Sequence, residues 1–387
     1  MVRVLQVAES GTGGVPAFIR RVCDGLAGEH PFGIACPSNS DLVSNQPTGT
    51  AVYPIEMAHA INPISDYRAA NQIRAVVERE HYDVVHLNST KAGIIGVQLK
   101  RGLKAKTVFT PHALRSHAYP DGTLKRLLAL FIEKRICAAA DVVAACSSAE
   151  ADGIVQAGLA SREKVRIVEN GVDVRQLQAP ATVSREDLGI PPDAFVVGTA
   201  GRLSMQKDPA TFVRAAKRIA DEAPSAHFVM AGDGPLLTEM GEMIRGLGLA
   251  DRFHMLGWRD DAQEVLKLFD VFLVTSRYEG GSFAILEAAG ARRPIVACDS
   301  PGVGNLLKDD VTGLLAPAGD PHRVAAAVLK LRKDAKIGQR LADEAFETIA
   351  YPRRLEVMVE EWGALYRSVS AGPAPAQAEQ ATQRHPA

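Results

Sequence analysis

Glu279-Gly-Gly-Ser-Phe-Ala-Ile-Leu-Glu287 sets two carboxylates around a Gly-Gly-Ser turn. The segment before it, Asp270-Val-Phe-Leu-Val-Thr275, reads as a short buried strand, and the residues after Ser282 have the apolar spacing of a helix packed on a sheet. The turn is therefore expected at a strand's carboxyl end. Ligand crevices of open α/β sheets form there, and free N–H groups at a helix N-terminus favour anions. Carboxylates that take hydroxyl protons, beside amides that take phosphate oxygens, fit a ligand carrying both groups, such as a nucleotide sugar. The alternative is that Glu287 is an ordinary exposed helix residue and Glu279 a solvated loop charge.

A basic cluster upstream favours the first reading. After the apolar strand Phe195-Val-Val-Gly-Thr-Ala-Gly201 come Arg202 and Lys207, just before Asp208-Pro209. Asp at an N-cap followed by Pro at N1 starts a helix. Both cations are then expected in a loop at another strand's carboxyl end, where they would grip a diphosphate.

Gly201-Arg202-Leu-Ser-Met-Gln-Lys207, then Ala231-Gly-Asp-Gly-Pro235, then the spaced glutamate pair resembles the family 4 (group 1) retaining glycosyltransferases of the GT-B fold. The order and spacing match over most of the C-terminal half. Glu9-Ser-Gly-Thr-Gly-Gly-Val15, Asn88-Ser-Thr-Lys-Ala-Gly93 and Thr110-Pro-His112 extend the resemblance to the N-terminal half; the second of these is similar to bacterial members that build exopolysaccharide or lipid-linked oligosaccharide. One departure is Gly281-Ser282, where the family usually has Phe-Gly.

The resemblance implies two doubly wound Rossmann-like domains facing each other across a cleft, and transfer of a sugar from a UDP- or GDP-sugar to a glycan or lipid-linked acceptor with retention at the anomeric carbon. In that scheme Glu287 takes the ribose hydroxyls and Arg202 with Lys207 holds the diphosphate. Amides around Gly281, Ser282 and Phe283 add to that grip. Glu279 orients the sugar or stabilises an oxocarbenium-like state, and His112, at the carboxyl end of the Thr107-Val-Phe-Thr110 strand, serves the donor sugar or the transition state. Gly13 and Gly14 bring backbone N–H groups to the donor phosphate, and the base rests near Gly234 and Trp258. Asn170-Gly-Val-Asp173 looks like the family's turn into the linker, with hinge geometry its main role.

Length and composition agree. A chain of 387 residues exceeds the size at which one core usually splits. The boundaries expected are 1–178 for an acceptor-side domain, 193–350 for the nucleotide-sugar-binding domain, 351–369 for a helix returning to the first domain, and 370–387 for a disordered tail rich in Ala, Pro and Gln. The linker runs through Val174 to Pro192. With 44 basic and 45 acidic residues, net charge is -1, and nothing global argues for nucleic acid. None of the five cysteines, Cys23, Cys36, Cys137, Cys146 and Cys298, has Cys-x-x-Cys spacing; buried reduced thiols and a cytoplasmic location follow. The apolar start of the chain is too short for a signal peptide, and no run approaches the ~20 residues of a membrane span. Any membrane contact is then peripheral, on the inner face.

Strands are expected at Arg3 to Ala8, Gly33 to Ala35, Val84 to Leu87, Thr107 to Thr110, Val142 to Cys146 and Val165 to Val168, alternating with helices. The second half repeats the scheme near Val196 to Ala200, His227 to Ala231, Phe253 to Leu256, Val271 to Thr275, Pro294 to Ala297 and Gly313 to Leu315. Leu124-Lys-Arg-Leu-Leu-Ala-Leu-Phe-Ile-Glu-Lys-Arg-Ile136 is basic and amphipathic. It lies either on an anionic membrane or on the sheet with snorkelling cations. Its direct lead into the strand at Val142 favours the sheet. Lys91 meets an acceptor phosphate or is a surface lysine, and His86 packs or bonds backbone. No Asp-x-Asp triplet and no His or Cys cluster has metal spacing. Neither cofactor nor metal is expected; cations and helix ends must neutralise the leaving diphosphate.

Three rivals remain: a nucleotide-sugar epimerase on the same fold, a non-catalytic nucleotide-sugar binder, and a dinucleotide oxidoreductase. Pro16 stands where the dinucleotide fingerprint needs glycine, which argues against the last.

Overall fold

The structure, a computed structural model, describes residues 1–11, 13–58 and 60–371. Two parallel sheets follow one another along the chain. The first joins β1 (Val4–Ala8), β2 (Phe32–Cys36), β3 (Ala51–Pro54), β4 (Val84–Asn88), β5 (Lys106–Thr110), β6 (Val142–Ala145) and β7 (Val165–Ile167) in the order β3-β2-β1-β4-β5-β6-β7. The second joins β8 (Phe195–Ala200), β9 (Ala226–Ala231), β10 (Phe253–Gly257), β11 (Val271–Val274), β12 (Ile295–Asp299) and β13 (Leu314–Pro317) in the order β10-β9-β8-β11-β12-β13. Helices cover both faces, so central strands such as β1, β4 and β11 are buried throughout and read as continuous apolar runs.

The twelve expected strands all occur, within one or two residues at their ends. The sequence reading missed β3. It is an edge strand with no buried residue, and it lacks the apolar signal of its neighbours.

Each sheet reverses its strand order once, beside β1 and β4 in the first and beside β8 and β11 in the second. Crevices open at the carboxyl ends of such strands. The loops leaving β1, β8 and β11 hold Gly13, Lys207 and Glu279, and Lys91 lies in the first turn of the helix Thr90–Leu99 that follows β4.

The last helix, Leu355–Ala371, packs against the first helix, Gly14–Leu26, with Trp362 and Tyr366 fully buried. It begins after the turn around Pro352 and runs two residues into the segment read as a tail, because Val369 still finds a buried site. Residues 372–387 of that tail lie outside the described residues.

Candidate active site

Glu279 follows β11 and is buried. Its Oε1 accepts hydrogen bonds from Lys207 Nζ at 2.6 Å and from Ser276 Oγ at 2.6 Å. The acidic turn and the basic loop after β8 thus meet in an ion pair between residues 72 positions apart. The backbone around Glu279 is equally confined: a Cβ on Gly302 would lie 2.0 Å from the Glu279 carbonyl oxygen. Arg202 is exposed and forms no ion pair among the described residues. Asp208 precedes the helix Pro209–Glu222 with Pro at its start, but its carboxylate does not cap that helix. It accepts from Thr211 Oγ1 at 3.1 Å and Arg277 Nε at 3.2 Å instead, tying the basic loop to the loop after β11.

Glu287 lies in the helix Phe283–Gly290, where Oε1 accepts from Gln263 Nε2 at 2.7 Å and from Arg21 Nη2 at 2.6 Å. Arg21 belongs to the Gly14–Leu26 helix of the first sheet, so this ion pair crosses the cleft. Its guanidinium also stacks over Phe283 at 4.3 Å, and its Nη1 is buried without a partner. The sequence reading gave Arg21 no role; a cation in the second turn after a glycine loop carries no motif of its own.

Two helix N-termini converge here. Gly13, at φ 94°, leads into the Gly14–Leu26 helix, and a Cβ on Gly14 would lie 4.0 Å from the Phe283 ring. Opposite, Ser282 precedes Phe283 without capping its helix, and its Oγ is buried with no partner. Free amides at a helix N-terminus and an unmatched hydroxyl are the groups that suit an anion.

Gly281-Ser282 departs from the family's Phe-Gly for a visible reason. A Cβ on Gly281 would lie 2.8 Å from the Cys146 carbonyl oxygen, and one on Gly280 would lie 2.7 Å from the Ala113 amide nitrogen. Both neighbours belong to the first sheet's loops. The halves approach so closely that no side chain fits, and two hydrogen bonds use the gap: Ser147 Oγ donates to the Gly280 carbonyl at 2.5 Å and Asn170 Nδ2 to the Gly281 carbonyl at 2.6 Å. Asn170 is therefore a bridge between the halves, beyond the hinge expected of it.

His112 follows β5 at φ 57°. Its Nε2 is 2.9 Å from Asn88 Oδ1 and its Nδ1 is 3.4 Å from Cys146 Sγ. Asn88 Nδ2 already donates to Gln6 Oε1, so Asn88 Oδ1 is the acceptor; the proton sits on Nε2, and Nδ1 takes the thiol hydrogen. Burial lowers the His112 pKa to about 3, which keeps the ring neutral. With both nitrogens engaged, the imidazole has no hydrogen bond left for a sugar in this state.

The network continues through Gln6 to the Tyr366 hydroxyl, then to His86 Nδ1 at 2.8 Å, and from His86 Nε2 to Thr110 Oγ1 at 2.8 Å. His86 thus packs against Trp362, as one of its two expected roles had it, and bonds side chains rather than backbone. Beneath His112, Glu150 accepts from the amides of Ala113 at 2.9 Å and Cys146 at 2.8 Å, and burial raises its pKa to about 7.

Two expected residues stand apart from this centre. Lys91 is buried, donating to Asp66 Oδ1 and to the Ala60 carbonyl at 2.6 Å, so its charge is spent inside the protein. It is neither a surface lysine nor free for a phosphate. Trp258 is half exposed at the end of β10, its Nε1 donating to Asp260 at 3.1 Å. Gly234, in the loop after β9, needs to be glycine: at φ 155° a Cβ would lie 2.4 Å from the Leu203 carbonyl oxygen. This leaves a shelf of backbone next to the basic loop.

The helix Leu124–Ala139 buries Ala129, Glu133, Ile136 and Cys137, mainly against the helix Thr90–Leu99 and the turn Arg115–Ala118, with Ile136 and Cys137 joining the core under the first sheet. Its first turns do not pack as the sheet reading requires: Leu124, Leu127, Leu128 and Phe131 are exposed. The five cysteines are buried and unpaired. No helix among the described residues is long and apolar enough to cross a membrane, and no group of three or more metal-binding side chains occurs among them.

Comparison with known proteins fits this geometry. Residues 12–176 match the family described as Glycosyltransferase Family 4, and residues 194–334 match Glycosyl transferases group 1. An Escherichia coli relative, UDP-Gal:alpha-D-GlcNAc-diphosphoundecaprenol alpha-1,3-galactosyltransferase, is 28% identical over 71% of this chain and 72% of its own. Among solved structures, sucrose-phosphate synthase of Thermosynechococcus elongatus superimposes with a TM-score of 0.82 at 20% identity, covering 96% of this chain and 100% of that one. Anabaena HepE in complex with UDP-glucose gives 0.80 at 21% identity, covering 95% and 100%. The chain is a glycosyltransferase and belongs to the family 4, group 1 enzymes of the GT-B fold.

Proposed function

We propose that this enzyme transfers a sugar from a nucleotide diphosphate donor to a lipid-linked or glycan acceptor in bacterial surface polysaccharide synthesis, with retention at the anomeric carbon. The observation that carries the reading is the Lys207–Glu279 pair at 2.6 Å, in the same turn as the buried, unmatched Ser282 hydroxyl. Arg202, Lys207, Ser282 and the amides near Gly13 and Phe283 hold the diphosphate as its charge develops, without a metal. Glu279 faces the transferred sugar and stabilises positive charge at the anomeric carbon. Glu287 takes the ribose hydroxyls while Arg21 and Gln263 fix its rotamer. The base lies on the shelf at Gly234 and Trp258. His112 acts from a neutral, fixed ring as part of the sugar pocket's wall, and Lys91 with Asp66 steadies the acceptor side.

We take residues 1–178 and 355–371 as the acceptor-side unit and 193–350 as the donor-side unit. UDP is the donor nucleotide favoured by the HepE complex and by the Escherichia coli relative's name, with GDP as the alternative. The exposed start of the Leu124–Ala139 helix supports a peripheral approach to the cytoplasmic face of the membrane.

The test is a panel of UDP-, GDP- and ADP-sugars screened by thermal shift, since a ligand of the native state raises stability by mass action. The stabilising donor is then incubated with lipid-linked saccharide, and the product's anomeric configuration is read by NMR. Release of nucleotide with no acceptor requirement and a free epimerised sugar would replace transfer by epimerisation.

A further inference from the structure

Seven of the twelve exposed large hydrophobic residues among the described residues gather on the amino-terminal ends of two helices: Ile61, Ile64 and Tyr67 at the start of Pro63–Glu80, and Leu124, Leu127, Leu128 and Phe131 at the start of Leu124–Ala139. Leu124 is 81% exposed and Phe131 62%. Single exposed hydrophobics are ordinary, but a contiguous apolar face marks a binding surface.

This face opens into a groove. Its apolar walls are Ile61, Ile94, Leu128 and Ile132, and its cations are Lys91, Arg115 and Lys125; no carboxylate lines it. Asp66 offsets Lys91, which leaves Arg115 and Lys125 as the net charge. Arg115 sits on a short turn, Arg115–Ala118, tethered to the long helix by the Ser116 amide, which donates to the buried Glu133 at 3.2 Å. Arg126, the next cation along, is already bound to Asp121.

The same turn borders a second, polar cavity of about 260 Å³. Leu114 and His117 line that one, together with Glu150, Gln156, Glu279 and Asn305. A polar chamber touching Glu279, a pair of cations and an apolar groove thus follow one another across a single turn. That sequence matches a molecule with a sugar at one end, phosphate next and a long apolar chain beyond.

We propose that the groove seats the anchor of the acceptor, a lipid phosphate or diphosphate whose head lies between Arg115 and Lys125 and whose chain runs over Leu128 and Phe131, so that the attached sugar enters the polar cavity beside Glu279. This rests on the glycosyltransferase reading and narrows its acceptor to the lipid-linked class. A lipid phosphate needs both an apolar wall and a cation. The groove supplies both, whereas a soluble glycan would leave its apolar residues without a partner.

The probe is farnesyl diphosphate, titrated below its micelle concentration into the full chain and compared with inorganic diphosphate and farnesol. Farnesyl diphosphate should bind at least tenfold tighter than either fragment, and UDP should not displace it. Arg115→Ala with Lys125→Ala, and separately Leu128→Glu, should each weaken it at least tenfold while leaving the thermal shift by UDP unchanged, which shows that the fold and donor site survive. Equal affinity for inorganic diphosphate, displacement by UDP, or wild-type binding by the variants would each overturn the proposal. So would variants that lose only flotation with phosphatidylcholine–phosphatidylglycerol vesicles, or only a dimer seen by sedimentation; the face would then serve a bilayer or a second copy. Failure of the glycosyltransferase reading shows elsewhere, as the absence of stabilisation by any sugar nucleotide.

Discussion

The ion pair between Lys207 and Glu279 makes these residues a unit, and a double-mutant cycle measures how far. Glu279's side chain is 6% exposed and Lys207's 29%. Removing one partner of a fully buried pair costs about 3–5 kcal/mol, most of it from the charge left behind. Nearly a third of the lysine side chain stays in water, which brings Lys207→Ala down to about 2–3 kcal/mol of folding stability. Glu279→Gln keeps a carbonyl oxygen for Ser276 Oγ, now 2.6 Å away, and should cost less, about 1–2 kcal/mol.

The double variant strands no charge, so its cost should fall short of the sum by about 1.5 kcal/mol, a factor near ten in an equilibrium. The same cycle in kcat/KM should also be non-additive if, as proposed, the ammonium that meets the donor's diphosphate is the one that orients the catalytic carboxylate. Four proteins suffice, each measured by urea denaturation and by steady-state kinetics with the sugar nucleotide. Costs that add to within about 0.5 kcal/mol in both measurements would refute the unit and return the residues to independent roles.

Gly281→Ala should separate the halves, because its Cβ meets the Cys146 carbonyl at 2.8 Å; turnover should fall at least tenfold while UDP binding to the second sheet persists, and unchanged turnover would contradict the close approach. Glu150 should shape the pH dependence of stability. Burial raises its folded pKa to about 7, so the folded state holds more protons than the unfolded between about 4.5 and 7, and its contribution to stability falls as pH rises through that window. The shift is worth about 3 kcal/mol, so the stability of Glu150→Gln relative to the wild type should rise by about that much from pH 4.5 to pH 8. His112, lowered to about 3, acts with the opposite sign between about 3 and 6.5 and cancels in that comparison; a pH-independent difference between the two proteins refutes the assignment. Chelation by EDTA should leave transfer intact, and full loss restored by magnesium or manganese would show that side chains do not neutralise the leaving group alone.

The strands and the loops at their carboxyl ends were legible because buried parallel strands are continuous apolar runs punctuated by glycine. Glu279, Glu287, Arg202 and Lys207 could be placed in loops and helix starts from local pattern. Their partners could not. Arg21 reaches Glu287 from 266 positions away, and nothing in an amphipathic helix says which cation will cross a cleft. The stripe Leu124, Leu127, Leu128 and Phe131 was visible as a helical period, yet period alone does not say whether a sheet or solvent meets it. Lys91 illustrates the converse: the residue was noticed, but the buried Asp66 that consumes its charge lies on another helix. The glycine at 281 stood out as a departure from the family's motif, and only the position of Cys146 shows what leaves it no side chain.

The return of the final helix to the first sheet has a consequence in time. Tyr366 bonds Gln6, 360 residues earlier, and Trp362 fills the space beside Phe18 and His86. As the ribosome delivers the chain, β1 and β4 emerge early, but their polar core and the covering of Phe18 await the last residues of the fold. The second sheet, whose strands lie within residues 195–317, is complete well before that. The first sheet's core therefore cannot be completed until the end of the fold has been made, although its strands are synthesised first. A stalled or prematurely terminated chain would expose the apolar surface around Phe18 to chaperones, and a protein that still bound nucleotide would carry an unfinished acceptor side.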